Sequence, residues 1–210
     1  MWPTSLRNLS ELASGNVFNE YFQKQFNGNE EDFQRAKEGY EEQLGRDNEK
    51  ALDAAFFLIT STEITRDERI EKLRDLLKRC ERALGEKNAV TFETLNLLGI
   101  KMDESGEYEE AIEYYERALK GSERTLRKNH PSMLTSVMNI AVVYKIQKDY
   151  GKAEELYQRA LEGYEAQLGK DHKSTMRCPE NYLNCLNVGG NSARLAELRK
   201  AHPNAHNYDV

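Results

Sequence analysis

The feature that most constrains this chain is that it repeats one segment. The stretch "YEEAIEYYERALKGSERTLRKNHPS" at residues 108–132 aligns without a gap on "YGKAEELYQRALEGYEAQLGKDHKS" at 150–174, an offset of 42 residues. The same offset carries "LLKRCERALGEKN" (76–88) onto "ALKGSERTLRKNH" (118–130), and "QRAKEGYEEQLGRDN" (34–48) joins the series 40 residues before its second copy. A period of this length belongs to repeat architectures. Each unit is a supersecondary element that cannot bury its own apolar face, so consecutive units have to stack into an array.

Each period has two helical halves. In "PSMLTSVMNIAVVYKIQ" (131–147), Leu134, Val137, Ile140, Ala141 and Tyr144 recur at spacings of three and four, which places them on one face of a helix. "DYGKAEELYQRALEGYEAQLG" (149–169) does the same with Tyr150, Ala153, Leu156, Tyr157, Ala160, Leu161, Tyr164 and Leu168. We term these halves helices A and B of a hairpin. Pro131 falls on the first turn of helix A, where a missing N–H costs nothing. Gly45, Gly85 and Gly169 fall where a helix ends in a left-handed residue, and Arg127 takes that place once. With only 4 prolines and 13 glycines against 31% charged residues, the composition suits long solvated helices. The chain is therefore expected to be all-α, an α-α superhelix, or solenoid, of about four to five stacked hairpins.

Small and large positions alternate in register. Ala141, Ala153 and Ala160 let paired backbones approach while Tyr144 and Tyr157 fill the hollows; one period earlier the same slots hold Gly99, Ala111 and Ala118 with Met102 and Tyr115. This pattern resembles the tetratricopeptide repeat. The 42-residue period, with "LYQRALEGYEAQLGKDH" and "NHPSM" at the junctions, resembles the kinesin light chain variety, over roughly residues 30–190. At 49–87 the same offset puts Phe57, Arg69 and Leu76 in the small slots, so that hairpin is expected to pack more loosely or at an altered angle. The expected organisation is a degenerate N-terminal repeat or cap over 1–48, an array over 49–171, a degenerate C-terminal repeat or cap over 172–202 and a tail over 203–210. The aromatic cluster Val17, Phe18, Tyr21, Phe22 and Phe26 is expected to close the N-terminal end or to form a self-association patch.

Several function classes fall away on composition. A formal net charge of -6 argues against a surface built to displace counterions from nucleic acid, and against binding to anionic membrane. The longest apolar run, "AAFFLI" at 54–59, is far too short to span a bilayer. Three cysteines without framework spacing suit a reducing compartment, so a cytoplasmic protein is expected. His172, Cys178 and Cys185 match no zinc spacing, and His202 and His206 straddle Pro203. No nucleophile–base pair with a third orienting group is evident, and Gly189-Gly190 is followed by no Lys-Ser/Thr pair that would cradle phosphate. Neither catalysis nor a cofactor is expected.

What remains is the wall of helix A that faces the inside of the curve. Helical spacing puts Thr135, Asn139, Val142 and Ile146 on one stripe; one period earlier it holds Glu93, Leu97, Ile100 and Glu104, and one period later Arg177, Asn181, Asn184 and Val188. The resemblance implies that Asn139 and Asn181 hold the backbone of an extended peptide, since an amide both donates and accepts. A groove acidic at Glu93 and Glu104, apolar at Leu97, Ile100, Val142 and Ile146, and lined by Asn139, Asn181, Asn184 and Arg177 predicts a protein or peptide ligand with apolar anchors and a basic end. The expected function is a non-enzymatic interaction scaffold. Alternatives are a kinesin light chain-like cargo adaptor, which would want more basic groove residues, and an array detached from a larger nucleotide-switch protein.

Overall fold

The computed structural model describes residues 30–126, 129–170, 172–203 and 205. Among them run the helices α1 (Glu30–Leu44), α2 (Glu49–Ser61), α3 (Arg66–Ala83), α4 (Ala89–Glu104), α5 (Tyr108–Glu123), α6 (Pro131–Ile146), α7 (Tyr150–Leu168), α8 (Lys173–Gly189) and α9 (Ser192–Ala201). Each packs on the next in order, so α2–α3, α4–α5, α6–α7 and α8–α9 are consecutive A–B hairpins and α1 is a B helix ahead of them. The expected arrangement of stacked hairpins is what the chain adopts. The aromatic cluster at 17–26 and Arg127 lie outside the described residues, as does most of the tail.

The chain punctuates both helix types with side-chain caps. Helix A begins after an acceptor that takes the backbone N–H two residues on: Asn48 from Lys50 at 3.0 Å, Asn88 from Val90 at 2.9 Å and His130 Nδ1 from Ser132 at 3.3 Å. Helix B is capped by Thr65, whose hydroxyl and backbone N–H exchange with Glu68 in a capping box, and then by Asp149 and Asn191. Pro131 sits in the first turn of α6 as expected. Gly45, Gly85 and Gly169 all have positive φ, between 78° and 90°, and stop the preceding B helices.

The caps also correct the register of the first hairpin. Caps of helix B fall 42 residues apart at Thr65, Glu107, Asp149 and Asn191, but Asn48 lies 40 before Asn88. In α2 the counterpart of Gly99 is therefore Ile59, and Phe57 answers to Leu97. Arg69 supplies the physical reason. Its guanidinium donates to the carbonyls of Ile59, Thr60 and Thr62, sealing the end of α2 early. An arginine in an alanine slot thus acts as a C-terminal cap, where positive charge is favoured.

The small-to-large register is confirmed in the packing. Ala141, Ala153 and Ala160 are fully buried beside Tyr157, Ala111 is fully buried beside Tyr115, and Ala118 is fully buried in the cluster of Leu73, Phe92 and Leu95. A methyl on Gly99 would come within 2.5 Å of the Tyr115 ring, so the close approach of α4 to α5 requires glycine there. Tyr144 is only partly buried, and the Lys152 ammonium lies 4.9 Å from its ring centroid. Tyr157 stacks on Tyr182 at 5.8 Å, which carries the core from the third hairpin into the fourth. Tetratricopeptide-type slots therefore recur through one continuous stack.

Candidate functional site

Two kinds of contact bridge non-consecutive helices, and their difference locates the inner wall. The A helices approach each other from pair to pair, α2 to α4, α4 to α6 and α6 to α8, through packed side chains. The B helices approach one another less closely and are joined by long side chains: Arg117 to Glu81, Arg159 to Glu123 at 2.7 Å and Arg74 to Glu110 at 2.8 Å. Such exposed pairs are worth at most about 1 kcal/mol each, so they set spacing more than stability. The array is tighter on the A side. The A helices line the concave face.

Counting from each cap gives the rows of that face. The fifth residue after Asn48, Asn88, His130 and His172 is Asp53, Glu93, Thr135 and Arg177. One turn on come Phe57, Leu97, Asn139 and Asn181, and then Thr60, Ile100, Val142 and Asn184. Asp53 therefore precedes Glu93 in the same slot. A uniform 42-residue offset would put Ala51 there instead; the recurrent asparagine caps are the sequence signal that points to Asp53.

The predicted residues occupy this face in different states. Leu97 and Ile100 are partly buried against the cores of the second hairpin, and Val142 against that of the third and fourth. Ile146 and Val188 are exposed apolar residues, at 42% and 52%. Asn139 and Asn181 sit in the same row on neighbouring helices. The Asn139 amide nitrogen is buried without a hydrogen-bond partner, whereas Asn181 donates to the carbonyl of Arg177 in its own helix at 3.3 Å. Asn184 accepts from Lys145 Nζ at 3.2 Å, and Arg177 is exposed. Glu104 pairs with Lys101 at 2.8 Å, so its charge is compensated and the acidity of the groove lies elsewhere.

It lies at Asp53 and Glu93. Asp53 is 9% exposed, Glu93 is partly buried, and neither makes a hydrogen bond or ion pair among the described residues. Burial raises the Glu93 carboxyl to about 7. Asp53 is pushed well above the usual carboxylate range, first by burial and then by the charges of Glu93 and Glu49. Beyond this the row turns neutral at Thr135, whose hydroxyl meets the Tyr164 hydroxyl at 3.0 Å, and basic at Arg177. The groove therefore runs from acidic to basic along the array.

The other candidates for chemistry are packing residues. Cys80, Cys178 and Cys185 are buried, and burial pushes their thiols up to about 12, 12 and 11, which disfavours thiolate at neutral pH. Among the described residues no cluster of three or more His, Cys, Asp or Glu could hold a metal, and no helix is long and apolar enough to cross a membrane.

A stack of A–B helical hairpins with small-to-large slots and an inner wall of A helices defines a helical repeat solenoid of the protein-interaction class. The tetratricopeptide repeat family model matches residues 67–124 and 125–187, more than half of the chain, and the protein belongs to that family. Among solved structures, the nearly identical TPR-like repeats of a kinesin light chain-type protein from Podosopora anserina share 19% identity at a TM-score of 0.64, covering 91% of this chain and 92% of that one. BtubC (BKLC) from P. vanneervenii shares 19% identity at a TM-score of 0.65, covering 93% and 82%. These likenesses show a common fold with kinesin light chain-like repeats. A comparison with curated protein sequences finds no significant match.

Proposed function

We propose that this protein is a non-enzymatic adaptor that takes an extended peptide segment of a partner along the concave face of the array, with the inner helices of the hairpins over 49–171 and α8 of the C-terminal segment forming the groove. The observation that carries this reading is Asn139. Its amide nitrogen is buried on the inner wall without a partner, an arrangement that costs about 1–3 kcal/mol unless a ligand accepts the bond. Asn181, in the same row of the next helix, needs only to release a local bond to its own helix to join it. Exposed Ile146 and Val188 supply apolar contact beside the amides. A segment laid there would place backbone carbonyls against the Asn139 and Asn181 amides and side chains against the apolar rows.

The test is capture from the protein's own cell extract by the wild type and by an Asn139→Ala/Asn181→Ala variant. The expected result is a partner retained by the wild type and lost by the variant, with unchanged circular dichroism. Equal retention by both proteins would remove the groove reading.

A further inference from the structure

Resting on the groove reading above, we infer that Asp53 and Glu93 form a subsite for one cationic side chain, lysine or arginine, of the bound segment. The inference starts from placement. The two carboxylates stand at the same position after their caps on neighbouring inner helices, α2 and α4, and they are close enough for the charge of one to act on the other. Asp53 is nine-tenths buried and has neither a hydrogen bond nor an ion pair. Charged, it repels Glu93 and Glu49 and faces the Tyr40 phenol, and no hydrogen bond or ion pair among the described residues compensates that charge.

A cation arriving from outside satisfies both groups. It neutralises the mutual repulsion and supplies N–H donors to oxygens that have none. The alternatives fit less well. A bare metal ion would want a third protein ligand, and no such cluster exists among the described residues. Among the described residues no lysine or arginine forms an ion pair with either carboxylate: Lys101 pairs with Glu104, Arg79 and Arg82 pair with Asp47, and the Lys50 ammonium lies 6.0 Å from the Tyr40 ring centroid. The surroundings also suit a long aliphatic stem. Leu97 stands one turn beyond Glu93 and is only partly buried, so a lysine or arginine stem can lie along it while its head reaches the acids; Phe57, one turn beyond Asp53, is buried against Phe33. The basic end of the same row, at Arg177, opposes a second cation there and so orients the segment with its basic residue toward the first hairpin.

The experiment uses pools of ten-residue peptides, degenerate except at one central position fixed as lysine, arginine, norleucine or glutamate. Binding is read by fluorescence anisotropy on the full chain and on Asp53→Asn/Glu93→Gln. The wild type is expected to bind the lysine and arginine pools about thirtyfold or more tighter than the norleucine pool. In the double variant that preference should vanish while norleucine binding is kept, with circular dichroism confirming the fold. Equal binding of lysine and norleucine pools by the wild type would overturn the subsite and leave the groove standing. A lysine preference that survives in the double variant would place the cation elsewhere and overturn it too. Failure of every pool to bind would sink subsite and groove together.

Discussion

Replacing Glu93 by glutamine should make the protein more stable at neutral pH, and the gain should grow with pH. Burial lifts the Glu93 carboxyl from 4.5 to about 7. At one pKa unit per about 1.4 kcal/mol, the ionised form is disfavoured in the folded state by about 3 kcal/mol well above pH 7. The sign follows from proton counting: between these two values the folded protein binds more protons than the unfolded chain, so stability is fully present below pH 4.5 and is lost as pH rises through about 7. Between pH 5 and pH 8 the loss is about 2 kcal/mol, which glutamine should restore. For a chain of this size that corresponds to a rise of roughly 4–8 °C in melting temperature at pH 8. His202, whose ring pKa is lowered mainly by burial, pulls the other way in the same window, so the informative quantity is the difference between wild type and variant. The assay is urea and thermal unfolding followed by circular dichroism at pH 5, 6, 7 and 8. Parallel curves for the two proteins across that range would refute the desolvation argument.

Two further substitutions test the packing. Arg69→Ala removes the donors that seal α2 and should cost about 2 kcal/mol, read as a lower urea midpoint, with faster amide exchange at residues 58–62 than in the wild type. Gly121→Ala would bring a methyl within 2.5 Å of the Glu86 carbonyl oxygen, a backbone atom that cannot step aside, and should cost about 1–3 kcal/mol by the same measurement.

The architecture was legible because it depends on local rules repeated at one period. Ala141, Ala153 and Tyr157 reveal their slots by spacing alone, and Pro131 and Gly169 mark helix ends by their backbone preferences. The acidic end of the groove was not, because it depends on a register change. Two residues are missing between the caps of the first hairpin, so a uniform 42-residue offset would align Ala51, not Asp53, with Glu93. The pairing of Glu104 was legible in principle, since Lys101 lies three residues away on the same helix. The bridges Arg117 to Glu81 and Arg159 to Glu123 were visible only as recurring letters. That each arginine reaches back to the preceding hairpin depends on how helices cross, which no single period encodes.

The unequal walls of the array have a mechanical meaning. Packed side chains resist sliding or separation over a few tenths of an ångström, while solvated arginine–carboxylate ties stretch and re-form across water at little cost. Flexing of the stack therefore pivots along the A helices and is taken up on the B side, where the tie rods lengthen or slacken. The residues that would grip a partner stand on the pivot line, so the molecule can change its curvature while the spacing between Asn139 and Asn181 stays nearly fixed.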